Sequence, residues 1–429
     1  GGPSPRLWLT HEALMSDDLR PDRADDVVRP RHDDDVPVLR PLPPDRDADL
    51  RIDFVDDYEP PPPPIIPPPD PGFGFWMAVV WCLLYFAVMQ ILAAIVFGLP
   101  IMFVAVAINM ANNRPTPVDV PGMMSDPVLG TALILTLVCS HLAGLLFGWL
   151  ILRWRCGRQR WKRRIALSRG PTMTHAVLVL IGLPAMLALS SAIEPPIMRY
   201  VPSLSDIAQE LFGIHIDLPG IEALMPLLQK TPWPLAIFAV AVLPAINEEF
   251  WTRGFLGQGL SARYKTWAVV LIVSFLFGCL HLDPRQGLGA MLLGAAIHGA
   301  YLATRSLWVA IAVHGINNGL AVIHVNEGLF PVLKPLEDIL NGDRMGAVLL
   351  VGSAAFLFGA VCYALYETRC KLVPATAGMP VWEPPDAAGV ELPPPQSGTV
   401  VAHDPLSPVS VSLVLVGAIA FGAVLAAYA

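Results

Sequence analysis

Nine apolar runs divide this chain: Phe75–Phe97, Val128–Leu152, Met173–Ile193, Pro234–Leu260, Trp267–Leu282, Gly287–Ala303, Leu307–Val325, Met345–Tyr366 and Pro408–Tyr428. Most are near the roughly 20 residues a helix needs to cross about 30 Å of hydrocarbon. Lipid offers no partner to an open strand edge, so such runs are expected to form helices. The expected fold class is all-α, a polytopic transmembrane bundle of about eight or nine helices. Charged residues are only 15% of the chain, against roughly 25% in an ordinary soluble domain. That composition excludes a soluble globular enzyme. It also leaves too few cations for a basic face, so no nucleic-acid partner is expected. Trp267–Leu282 and Gly287–Ala303 are short and need packing among other helices.

Charge is concentrated outside these runs. Residues 1–70 hold 17 Asp+Glu against 8 Lys+Arg, and with a total of −8 the other 359 residues stand at +1. This stretch alternates Asp, Arg and Pro and ends in the proline run from Pro60 to Pro71. It cannot bury enough apolar surface to offset its ordering entropy, so 1–72 is expected to be a disordered acidic arm. The arm leaves room for a partner of its own, although a solvated tether is the preferred reading. Its polarity also means that no cleavable leader is expected there. The further division expected is 73–230, first helices with a basic loop; 231–326, a core; 327–369, one more helix; 370–407, a Pro-rich linker; and 408–429, an appended helix. Leu204–Gln229 is apolar but interrupted, as befits a segment lying along the interface.

Between Arg153 and Arg169 the chain carries eight Lys+Arg and no acid. By the positive-inside rule that loop faces the cytoplasm, and counting spans puts the arm on the same side. The expected location is an integral, multi-pass protein of a bacterial inner membrane, with the arm cytoplasmic. The six Cys form no CxxC pair, so they are read as small packing residues rather than disulfide or zinc ligands.

Ionisable groups within apolar spans are costly and point to function. Three clusters stand out: Glu248–Glu249–Phe250–Trp251–Thr252–Arg253, then Phe277–Gly278–Cys279–Leu280–His281, then His314–Gly315–Ile316–Asn317–Asn318. Glu249 and Arg253 are four apart, so they share a helical face and can neutralise each other. Glu248 is about 100° round the helix and is left without a local partner. A carboxylate in poor solvent is suited to act as a base near neutral pH. His314 and Asn318 share a face. Measured from cations at the helix ends, Glu248, His281 and Asn318 lie about 20–24 Å deep, and so can converge. Gly254, Gly278 and Gly315 flank the clusters and would allow close approach of helices. His141, His175, His298 and His324 have no comparable partners and are read as packing or interface residues.

Taken together, Glu-Glu-x3-Arg, Phe-x3-His and His-x3-Asn resemble the CPBP family of intramembrane proteases, which includes CAAX prenyl endopeptidases and Abi-type proteins. The resemblance covers about 234–325. It implies an intramembrane endopeptidase acting on a peptide or protein substrate among membrane lipids. It implies that Glu248 activates the attacking water, that His281 helps orient or deprotonate it, and that His314 and Asn318 stabilise the oxyanion. Glu249 and Arg253 would hold the first helix, with Phe277 in support. The cofactor is either none or zinc; if zinc, Glu248, His281 and His314 are the ligands. No HExxH motif is present, and a metal-free mechanism is preferred. Two alternatives stay open: an inactive scaffold or immunity-type protein, and a proton- or cation-coupled carrier.

Overall fold

The computed structural model describes residues 72–117, 120–156, 161–214, 227–325, 334–374 and 399–428. The expectations for the acidic arm, and for the middle of the second linker, lie outside those residues. So does much of the interfacial segment that follows Ile214.

Nearly all of the described chain is helical. The main helices are α1 (Phe75–Ala111), α2 (Pro127–Cys156), α3 (Met173–Tyr200), α4 (Leu204–Phe212) and α5 (Trp233–Ser261). They continue with α6 (Thr266–Cys279), α7 (Pro284–Thr304), α8 (Leu307–Val325), α9 (Lys334–Asn341), α10 (Arg344–Glu367) and α11 (Pro408–Tyr428). Among the described residues, seven helices are long and apolar enough to cross a membrane, and α6 and α8 are shorter apolar helices. This is a multi-pass membrane protein of the all-α class expected.

The helices differ from the apolar runs where proline is involved. The run ending at Phe97 continues to Ala111, through Gly98 and Pro100. Two π-helical stretches, Ala87–Leu92 and Ala94–Gly98, precede that proline, and wider winding accommodates its missing N–H. α3 likewise runs past Ile193 to Tyr200, with Pro184, Pro195 and Pro196 inside it. The linker is also not wholly irregular. Lys371–Pro374 pairs antiparallel with Thr399–Ala402, a two-stranded ribbon outside the helical spans. Cys82, Cys139, Cys279, Cys362 and Cys370 are free thiols.

α5 is the most buried of the spans and α1 the least. The main core gathers around it: Tyr85 and Met89 of α1, Phe250, Trp251 and Phe255 of α5, Val273 and Leu276 of α6, Ile297 and Tyr301 of α7, and Val313 of α8. Trp251 is fully buried, stacked on Tyr85 at 4.6 Å and against Phe255 at 4.7 Å. The last helix is more than an appendage. Val414 and Phe421 of α11 share a second core with Leu350, Leu357 and Val361 of α10. Glu367, at the end of α10, accepts from the hydroxyls of Ser407 and Ser410.

Close backbone contact joins α6 to α7. A Cβ on Gly278 would lie 2.5 Å from the Gly287 carbonyl oxygen, so that crossing requires glycine. Gly254 and Gly315, by contrast, face neighbours at ordinary contact distances. α6 ends at Cys279, short of the expected Leu282, and the chain turns through Leu282 at φ 63°. Asp283 then caps α7, accepting from the amides of Arg285 and Gln286. Its other oxygen accepts from Leu204 N at 3.0 Å. Arg285 donates to Val201 O at 2.8 Å and to Asp206 at 2.9 Å. The corner before α4 is thereby tied to the turn that carries His281. Asp283→Ala is expected to cost about 1–2 kcal/mol of stability, the scale of a lost N-cap. Asp283→Asn should keep most of it. Thermal unfolding in detergent, read side by side, checks both.

Candidate active site

The site forms where α5 meets α6, α7 and α8. Pro244 of α5 has no N–H to give the carbonyl four residues back, that of Val240. The helix is π-wound at Phe238–Val242 and again at Phe250–Gly257. π-Helical turns are frequent at functional sites because they shift side chains off the regular face. Glu248 and Glu249 sit between these two stretches, in the α-helical piece Leu243–Glu249.

The two carboxylates have different surroundings. Glu249 is fully buried. Its Oε1 accepts from Arg253 Nη1 at 2.7 Å and from His314 Nδ1 at 2.8 Å. Arg253 is also fully buried. It donates to Gly294 O of α7 at 2.8 Å and to Thr252 Oγ1 at 2.9 Å, and its guanidinium lies 5.0 Å over the Phe277 ring. Thr252 in turn donates to the Glu248 carbonyl at 2.6 Å. The cluster therefore joins α5, α6, α7 and α8 through one charged group. Glu248 carries none of these bonds on its carboxylate. Its side chain is 19% exposed, and Oε2 stands 3.9 Å from His314 Nε2.

A carboxylate only accepts, so His314 Nδ1 carries the proton that bonds Glu249. Nε2, on the Glu248 side, is then a donor only when the ring is doubly protonated. Phe277 packs edge-to-face against both imidazoles, 5.1 Å from His281 and 5.8 Å from His314. His281 is on the turn after α6, with Nδ1 3.1 Å from the Phe277 carbonyl. Asn318 donates to Val240 O at 3.3 Å and accepts from Asn317 at 3.3 Å. It thus supplies a donor to the carbonyl that Pro244 cannot serve. Glu248, Glu249, Arg253 and His314 come together directly, and Phe277 brings His281 to the same cluster. Asn318 lies one turn beyond His314, bonded to α5.

Two histidines read as packing residues adjoin this cluster. His298 of α7 is buried within electrostatic reach of Arg253. His141 of α2 is buried 3.2 Å from the amide of Asn247, the residue before Glu248. Neither lies in a local pattern, since each partner is on another helix. His175 lies elsewhere, held by Thr172 and by Thr368 O at 2.9 Å.

Zinc asks for three or four ligand atoms converging at about 2.0–2.3 Å. Among the described residues no three His, Cys, Asp or Glu gather closely enough to hold a metal ion. His314 keeps Nε2 open, since only Nδ1 bonds Glu249, so the shortfall is in the gathering of the ligands and not in the imidazole itself. The donor set Glu248, His281 and His314 does not fit a zinc centre in this arrangement.

The fold and cluster define a class: a multi-pass helical membrane protein with a buried carboxylate–guanidinium–imidazole centre beside a freer carboxylate. Residues 230–320 match the family described as type II CAAX prenyl endopeptidase, Rce1-like. The resemblance read from the three motifs holds over that segment. The chain is also 25% identical over 142 residues to a Bacillus subtilis (strain 168) protein described as "Putative membrane peptidase YdiL". That alignment covers 33% of this chain and 54% of the relative, so the chain spans about half the length of the protein it matches. No solved structure matches it.

Breaking the buried pair gives a clear expectation. Arg253→Ala leaves Glu249 charged and uncompensated, which should cost about 3–5 kcal/mol. Arg253→Ala with Glu249→Gln should recover part of the loss. Chemical denaturation in mixed micelles, comparing both variants with the parent, checks this.

Proposed function

We propose that this protein is an intramembrane endopeptidase that hydrolyses a peptide bond near the membrane surface, with Glu248 as the base that activates water. One observation carries the reading. Glu249 is consumed by Arg253 and His314, whereas Glu248 is partly open and free of any bond on its carboxylate within the cluster. Two adjacent carboxylates are thus given different work, one structural and one chemical.

In this reading a water held by Glu248 and His281 loses its proton to Glu248 as it attacks the scissile carbonyl. The tetrahedral oxygen carries the developing charge. In its doubly protonated form His314 offers Nε2–H to that oxygen, and Asn318 adds its amide once released from Val240. Glu248 then gives its proton to the leaving amine. Arg253 and Glu249 hold α5, α7 and α8 in register while this happens. No step requires a metal. The substrate class is a protein or peptide anchored in lipid, and the family match makes a prenylated C-terminus the first to try.

A carrier would also use buried carboxylates and histidines, but the fixed Glu249–Arg253 lock disfavours moving a proton or cation through the cluster. The test is cleavage of membrane-anchored peptides, prenylated and plain, in proteoliposomes. Glu248→Gln is expected to lower kcat by about 10²–10⁴-fold, the scale of a lost general base. Cleavage by the parent should survive a strong zinc chelator. Equal cleavage by Glu248→Gln and the parent would sink the reading. Chelator sensitivity reversed by zinc would sink its metal-free form.

A further inference from the structure

The basic stretch between α2 and α3 is built into the bundle beside the buried centre. It contains one helical turn, Trp161–Arg164, which Ile165 continues by donating its amide to Trp161 O at 3.2 Å. Trp161 and Ile165 are four apart, so they share a face, and both are buried in the main core. Trp161 packs edge-to-face on Phe250 at 5.6 Å. Ile165 lies over Gly254, where a Cβ would stand 3.4 Å from Ile165 Cγ2. Phe250 and Gly254 directly follow Glu249 and Arg253, so the turn rests on the part of α5 that carries the ion pair. Lys162, next to Trp161, is exposed, with Nζ 5.6 Å over the Trp161 ring.

The residues after this turn form a strap held by its own backbone. Ile165 O accepts from the Tyr301 hydroxyl at 3.2 Å, and that hydroxyl accepts from Gln258 of α5 at 2.8 Å. Ala166 O accepts from Leu307 N at 3.0 Å. Leu167 O accepts from the Trp308 indole and Arg169 O from the Ser306 hydroxyl, each at 2.9 Å. Ala166 stands at φ 55°, a left-handed conformation that a residue with a Cβ keeps only where its surroundings fix it. The turn is therefore held at a set place against α5 and the α7–α8 corner.

Between Arg153 and Arg169 stand eight Lys+Arg and no acid. Exposed tryptophans mark the depth of this surface: Trp76 at the start of α1, Trp154 near the end of α2, Trp267 and Trp308 at the starts of α6 and α8. Bonds from Phe75 N to the Tyr264 hydroxyl and from Leu307 N to Ala166 O join these helix ends. Tryptophan is enriched where hydrocarbon meets headgroups. Arg153 lies 4.7 Å over the Trp149 ring, so cation and aromatic are paired at that level. Fixed cations at headgroup depth meet the phosphates of anionic lipids.

We propose that this basic turn is a docking surface for the headgroups of anionic phospholipids, and that Trp161 and Ile165 pass the docking on to α5 at Phe250 and Gly254. A headgroup that binds the cations more tightly when the turn is seated shifts the population toward that state. The effect on α5 rests on the protease reading above. The docking itself does not.

Docking is tested on the full chain in detergent. It is titrated with phosphatidylglycerol or phosphatidylcholine, and native mass spectrometry counts the lipids retained. The parent is expected to retain phosphatidylglycerol preferentially. Lys162→Gln combined with Arg163→Gln and Arg164→Gln should weaken that retention about fivefold for each cation removed. Lys162→Arg combined with Arg163→Lys and Arg164→Lys keeps the charge and should retain the lipid within about twofold of the parent. Equal retention of both lipids by the parent, or equal retention of phosphatidylglycerol by the parent and the Gln variant, overturns the docking. Displacement by inorganic phosphate beyond that by chloride of equal ionic strength would mark a site for a free anion and also overturns it.

Cleavage in proteoliposomes tests the transmission. Equal parts of phosphatidylglycerol and phosphatidylcholine should raise the parent's kcat about fivefold over phosphatidylcholine alone, the scale of a modest coupling. Ile165→Val and Ile165→Ala leave the cations in place. They should keep the lipid and lose the rise in that order. No rise in the parent, or a full rise in both Ile165 variants, overturns the transmission. If Glu248→Gln cleaves like the parent, the protease reading fails, and the lipid count still decides the docking.

Discussion

A guanidinium buried in an apolar helix bundle must find its counter-charge there, and Arg253 finds it four residues back on Glu249. Moving either ion alone out of water would cost several kcal/mol. Together they stay viable because further groups bond to them. Arg253 reaches the Gly294 carbonyl and the Thr252 hydroxyl, and His314 closes the second acceptor position on Glu249 Oε1. The pair therefore does more than neutralise itself. It sets the distances between α5, α7 and α8, and through Phe277 those to α6. Every group read as chemical is positioned by a helix that this pair holds.

The same pair decides which of two adjacent carboxylates is available. A regular helix turns about 100° per residue, so Glu248 and Glu249 cannot both face one guanidinium. Glu249 is drawn inward, with Oε1 bonded by Arg253 and His314, and Glu248 is left at the edge with His314 3.9 Å away. The wide winding on either side of them belongs to this arrangement. Pro244 removes one N–H from the ladder, and Asn318 reaches across from α8 to the carbonyl that would have used it. A backbone irregularity in lipid is tolerated only where a neighbour satisfies it. Here the neighbour is the helix that also carries His314.

Much of this was legible because it is local. The four-residue spacing of Glu249 and Arg253 announces an ion pair in any helix, and the apolar runs announce the helices. His-x3-Asn put His314 and Asn318 on one face in the same way. What could not be read depends on contacts between helices far apart in sequence. His141 and Asn247 are 106 positions apart, and neither belongs to a spaced pattern, so an isolated histidine was read as packing. The first apolar run, read as ending at Phe97, also goes further: in lipid the helix has nowhere else to satisfy its backbone and runs through Pro100 to Ala111. His281 was placed on a helix because apolar residues continue to Leu282, yet the chain leaves the helix at Cys279, where the Gly278–Gly287 crossing brings α7 in.

A base that works inside a membrane faces two opposed demands. It must be dry enough that its electrostatic partners act at full strength, and wet enough for water to reach it. Full burial would meet the first demand and defeat the second. The fold separates them by residue. Glu249 and Arg253, both fully buried, provide the dry and fixed reference, while the 19% exposure of Glu248 leaves an opening to the site. An open side chain is also a mobile one, so its direction has to be set by donors on the helices around it. His314, 3.9 Å from Glu248, is placed to do this from α8.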